Sequence, residues 1–106
     1  MLPTPQLRVC VVYAVSMGYE WFLAAWLTGV TQAEAIQVLY CAGHRWPRPI
    51  LTKTGLTAVS VWGRTDTGRG AIVYLRQLDG RDYQIIGATL MTEEQQAEFT
   101  EWEALQ

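Results

Sequence analysis

Residues 56–88 read LTAVSVWGRTDTGRGAIVYLRQLDGRDYQIIGA, and they leave the chain few ways to fold. Three runs rich in Val, Ile, Tyr and Trp lie at 56–62, 70–76 and 83–88. Two turn clusters separate them, Thr65-Asp66-Thr67-Gly68 and Asp79-Gly80. Such residues suit a pleated, half-buried surface. Asp-Gly is a strong signal for a two-residue hairpin, because both central positions tolerate φ > 0. The stretch predicts a three-stranded antiparallel meander. Side chains alternate along a strand, so Val59 and Val61 should share one face while Ser60 and Trp62 take the other. In the next strand Ala71, Val73 and Leu75 should oppose Ile72, Tyr74 and Arg76. Gly63-Arg64 closes the first run and Gly68-Arg69-Gly70 opens the second, so two guanidinium groups flank one tight turn.

The remaining segments supply helices around that sheet. Residues 1–6 carry Pro3 and Pro5 and read as a loose start. Residues 7–13 (LRVCVVY) read as a strand. Residues 19–28 (YEWFLAAWLT) place Phe22, Leu23, Trp26 and Leu27 at i, i+1, i+4 and i+5, the spacing of one helical face, with Gly29 as the stop. Thr31 and Glu34 form a T-x-x-E capping box that starts a second helix, with Ile36, Leu39 and Tyr40 as its apolar face and Gly43 as its stop. Pro47 and Pro49 make residues 44–49 a rigid connector, followed by a short edge strand at 50–53. Thr92 and Gln95 form another capping box. It opens a closing helix over residues 92–105, striped by Phe99, Trp102 and Leu105, with Glu93 and Glu94 on the favourable end of its dipole. The expected fold is one α+β domain spanning residues 1–106. An antiparallel sheet of three to five strands packs with two helices from the first half and one C-terminal helix.

Composition bounds the function. Half of the 106 residues are apolar and 17% are charged, which is a globular balance for one domain with a modest core. The net charge of −2 argues against a nucleic-acid binder that works by bulk charge. The charges are nevertheless sorted. Residues 45–81 hold seven basic and two acidic side chains, whereas residues 82–106 hold six acidic and no basic ones. Two cysteines, Cys10 and Cys41, make no disulfide framework and no metal-ligand spacing, and His44 is the sole histidine, so neither metal nor cofactor is expected. The apolar run at 9–27 contains Glu20 near its middle and Gly18. It lacks a basic flank or a cleavage signal, so no membrane span or export signal is expected and the default compartment is the cytoplasm.

Three segments in order match a known pattern. Gly29-Val30-Thr31-x-x-Glu34 followed by Val38-Leu39 resembles the "G-V/I-S/T-x-x-E…V-L" segment of the BrnT-like toxins. Gly63-Arg64-Thr65-Asp66-Thr67-Gly68-Arg69 resembles their "G-R-T-x-x-G-R" hairpin. Ile85-Ile86-Gly87-Ala88-Thr89-x-Met91-Thr92-x-Glu94 is similar to their last strand and helix start. The resemblance covers about residues 19–103. It implies a small ribonuclease related in fold to RelE-type toxins, the toxin half of a type II toxin–antitoxin pair. Its implied partners are RNA and a DNA-binding antitoxin, with which it would form hetero-oligomers if not homo-oligomers. The chain also departs from the pattern. Family members carry His and Lys just before the G-V-T turn, where this chain has Ala24, Ala25, Trp26, Leu27 and Thr28. Thr89 stands where they have Arg.

Metal-free RNA cleavage needs cations on the phosphorane-like transition state and a group that moves a proton. Arg64, Arg69 and His44 are the catalytic candidates. Arg suits a phosphate through its planar fork, and His44, set among Arg45, Trp46 and Arg48, is the expected proton acceptor. Lys53, Arg76, Arg81 and Trp46 are the candidates for holding RNA, Trp46 by stacking, a use to which Trp62 would also be suited. Each has a plainer reading: the arginines pairing with Asp66 or the acidic C-terminal helix, His44 as a loop residue, the tryptophans as core. With the family cations lost, a catalytically inactive member of the same fold, working as a protein-interaction module, is the alternative function.

Overall fold

The computed structural model describes residues 19–51, 57–78 and 82–106. Within them the chain forms β1 (Tyr19–Thr28), α1 (Gln32–Tyr40), β2 (Trp46–Leu51), β3 (Thr57–Arg64), β4 (Gly70–Gln77), β5 (Tyr83–Leu90) and α2 (Glu93–Ala104). The meander forms as its residues dictate: β3 pairs antiparallel with β4, and β4 with β5. The sheet is five-stranded in the order β1-β5-β4-β3-β2.

The period-two pattern sorts the meander into two cores. Val61, Ala71, Val73, Leu75, Ile85 and Ala88 face α1 and pack with its Ala35, Val38 and Leu39. On the other face Trp62 and Ile72 pack with Met91 and with Phe99 of α2. The result is three layers, helix, sheet and helix. Phe99, Leu39, Ile72 and Ile85 are among the largest fully buried side chains, and burying each is worth about 1.5–3 kcal/mol. Both helices begin as their capping boxes require. The hydroxyls of Thr31 and Thr92 accept from the amides of Glu34 and Gln95, whose side chains accept from the threonine amides in return.

Three expectations are corrected. Tyr19–Thr28 is a strand, so the described residues hold two helices and not three. It pairs in parallel with β5, which makes the sheet mixed and not antiparallel. The cause is a large bulge. Trp21 stands opposite Ile85 and Trp26 opposite Gly87, so Phe22, Leu23, Ala24 and Ala25 face Ile86 alone. The extra residues break the alternation of two and leave apolar positions at a spacing that mimics a helix. The open edge of β5 then decides the conformation, as sheet context commonly does.

The third correction concerns residues 44–53. The edge strand is Trp46–Leu51, which includes both prolines of the supposed connector. Amide direction alternates along an edge strand. Prolines two apart can both face solvent and leave the amides of Trp46, Arg48 and Ile50 for the ladder. The strand expected at residues 7–13 lies outside the described residues.

Replacing Thr31 or Thr92 by Ala should each lower stability by about 0.5–2 kcal/mol, because an N-terminal amide of the helix loses its acceptor. Urea denaturation of each variant would show it as a lower midpoint with an unchanged slope.

Candidate functional site

The turn between β3 and β4 is built by its own residues. Gly68 sits at φ +88°, in the left-handed region that favours glycine, and its amide donates to the Thr65 carbonyl. The Thr65 hydroxyl accepts from the Arg69 amide and bonds the Thr67 hydroxyl. Gly63 lies under α1, where a Cβ would come within 3.1 Å of Val38 Cγ1 and 3.3 Å of Ala42 Cβ.

Arg64 and Arg69 leave this turn in opposite directions. Arg64 shares the face of Trp62 and reaches α2. Its Nε donates to both carboxylate oxygens of Glu103 at 3.1 Å, and its Nη2 donates to Glu103 Oε1 at 2.9 Å and to Thr100 Oγ1 at 3.2 Å. Its Nη1 donates to the Gly68 carbonyl, and the guanidinium lies 5.3 Å from the centre of the Phe99 ring. Arg69 reaches the start of α1. It donates to Glu34 Oε2 and to the Gly29 carbonyl, both at 2.6 Å. The two arginines therefore do not converge on one point. The Asp66 amide adds a third tie, donating to Gln37 Oε1 of α1 at 3.1 Å.

One cleft of about 210 Å³ opens beside the turn. The end of α1 lines it through Gln37 and Cys41, followed by Ala42, Gly43 and His44. Arg64, Thr65 and Asp66 form another wall, and Glu103 a third. His44 and Arg64 thus meet at one cleft, and Arg69 is not among its lining residues. The hydrogen bonds from Arg64 hold the Glu103 carboxyl below its usual range, with a smaller contribution from His44.

The other candidates lie apart. Trp46 stacks flat on Trp102, with ring centres 5.1 Å apart, and packs edge-on against Trp62. His44 touches the same Trp102 ring edge-on at 6.3 Å. Arg48 lies over both Trp46 and Trp62, at 4.4 and 4.9 Å, and pairs with Glu98 at 2.8 Å. Trp62 is buried, and its indole donates to Ser60. Arg76 donates to Gln84 and lies 5.3 Å from the Phe22 ring centre. Lys53 and Arg81 lie outside the described residues. No group of three or more metal-binding side chains occurs among the described residues. Nor is any helix there long and apolar enough to cross a membrane.

Sequence reasoning missed Glu103, Gln37 and Asp66 as cleft residues. The one available signal was the acidic bias of residues 82–106, which pointed to an arginine partner without saying which carboxylate. No protein-family model, curated protein or solved structure matches this chain.

The Arg64–Glu103 pair carries a pH signature. Glu103 has a lower pKa folded than its ordinary 4.5. Its stabilising contribution is complete above the unfolded value and is lost as pH falls through the lower folded one. Wild type should therefore lose stability below about pH 4.5, and Glu103→Gln should flatten that part of the curve. Thermal melts from pH 7 to pH 3 would measure both. Arg64→Ala should cost about 1–3 kcal/mol at pH 7, since it removes charge-assisted bonds that tie α2 to the sheet.

Proposed function

We propose that this chain works as a non-catalytic protein-interaction module. The observation that carries this reading is the fate of the arginines among the described residues. Arg45, Arg48, Arg64, Arg69 and Arg76 are all engaged within the fold. Arg45 donates to the Leu39 carbonyl, Arg48, Arg64 and Arg69 pair with carboxylates, and Arg76 is bound to Gln84. A phosphate would have to displace Glu103 from Arg64 or Glu34 from Arg69, and each exchange also breaks a tie to a helix. A docking role is supported from the opposite side of the balance. Phe22, Leu23 and Trp26 are large apolar side chains left exposed on an outer strand. Such a cluster on a sheet edge marks an interaction surface.

A second reading keeps the ribonuclease and its antitoxin. It is favoured by one observation, that His44, Arg64 and Glu103 share a cleft. An imidazole, a carboxylate and a guanidinium are the parts that metal-free phosphodiester cleavage needs.

Incubating the purified protein with RNA in EDTA separates the two. On the module reading no cleavage above buffer occurs, and Arg64→Ala with Arg69→Ala lowers the melting temperature without altering RNA. Cleavage by wild type that His44→Ala or Arg64→Lys abolishes, with the fold intact by circular dichroism, would establish the nuclease instead.

A further inference from the structure

A second pocket, of about 300 Å³, lies where the end of α1 meets the sheet. Leu39 of α1, Pro47 of β2, Val61 of β3 and Tyr19 of β1 line it, together with Arg45. Pro47 and Val61 stand opposite each other across β2 and β3, so both side chains take the face that α1 packs on. Leu39 and Val61 are buried and supply an apolar floor. Tyr19 is held by two further tyrosines. Its ring meets Tyr40 edge-on at 5.1 Å and lies 6.1 Å from the Tyr83 ring.

The polar groups of this pocket are donors. The last turn of α1 carries no basic residue, and Arg45, just before β2, reaches back to it. Its Nη1 donates to the Leu39 carbonyl, at the negative end of the helix dipole. That bond occupies one corner of the guanidinium. Nε and Nη2 form the opposite edge, the edge with which Arg64 grips Glu103. Arg48, Arg64 and Arg69 each pair with a carboxylate, but Arg45 forms no ion pair among the described residues, and no acidic side chain lines the pocket. Burial raises the Tyr19 hydroxyl above its ordinary range, with the Arg45 charge acting against that rise, so the hydroxyl keeps its proton at neutral pH and can donate.

We propose that this pocket binds a small monocarboxylate with an apolar body. The carboxylate lies on Nε and Nη2 of Arg45 and accepts from the Tyr19 hydroxyl, and the hydrocarbon lies on Leu39, Pro47 and Val61. An apolar cavity with a few convergent polar groups is the usual form of a small-molecule site. Here those groups are a guanidinium edge, which matches a carboxylate bidentately, and one phenol. An amine would find no charged acceptor among the lining side chains, and an inorganic anion would leave the apolar walls unused. The inference is independent of the interaction-module reading and adds a ligand to it.

Octanoate, its methyl ester and inorganic phosphate, each titrated into the full chain by calorimetry, test it. Octanoate should bind at one site, and the ester and phosphate about tenfold more weakly or not at all. Arg45→Lys keeps the charge and loses the fork, and should weaken octanoate about tenfold. Tyr19→Phe keeps the ring and loses the hydroxyl, and should weaken it about three- to tenfold. Both variants should melt as wild type does. No binding of octanoate overturns the proposal, as does equal binding of the ester, which would mean that the carboxylate is not recognised. Phosphate binding as tightly as octanoate overturns it too, since the apolar walls would then select nothing. An octanoate affinity unchanged in both variants places the ligand elsewhere and overturns the site. Nuclear Overhauser effects give a second read-out. Contacts from the octanoate chain to the methyl groups of Leu39 and Val61 support the proposal, whereas contacts to those methyl groups from residues 1–18 in the ligand-free protein overturn it.

Discussion

Arg64 donates from every nitrogen of its guanidinium, and each bond fastens one part of the molecule to another. Its bonds to Glu103 and Thr100 hold the last turns of α2, and the bond to Gly68 closes the turn it springs from. Phe99, the one fully buried side chain of α2, lies under the same guanidinium. α2 has an acidic sequence with a narrow apolar stripe, so burial alone gives it a weak hold on the sheet. The arginine supplies directional bonds where apolar area is short.

Arg69 does the corresponding job on the opposite face. Its pairing with Glu34 meets a carboxylate that already accepts from the Thr31 amide in the capping box. Helix start and hairpin turn are therefore locked through one side chain. With the Asp66–Gln37 bond, a seven-residue hairpin segment carries the ties of both helix layers. The same commitment bears on function. Cations that hold the layers together are expensive to redirect toward a phosphate, because a displaced Glu34 or Glu103 leaves its helix less well held.

The partial exposure of the β1 side chains follows from the same geometry. α1 connects β1 to β2, the two outer strands of the sheet, so it has to cross the whole sheet and covers it well. α2 leaves the end of β5 and is drawn toward β2 by Arg64, Arg48 and the Trp46–Trp102 stack. It therefore turns away from β1, where Trp26 and Phe22 are partly exposed.

What the sequence determined by itself was local. The meander, its alternation of faces, the turn at Thr65–Gly68 and both capping boxes depend on residues near one another in the chain, and each was legible. β1 was not legible. Its bulge erased the period of two, and only pairing with β5, more than fifty residues away, makes it a strand. The prolines of β2 misled for a related reason: an edge strand tolerates them, and nothing local says that this segment lies at an edge. The candidate site divided along the same line. The sequence placed Arg64 and Arg69 on either side of one turn, which suggested a shared target. Tertiary structure sent them to opposite faces, because side-chain direction alternates and each face carries its own helix with its own glutamate. The meeting of His44, Arg64 and Glu103 at one cleft was decided there too, since it joins the end of α1, a hairpin and the last turn of α2 across long stretches of chain.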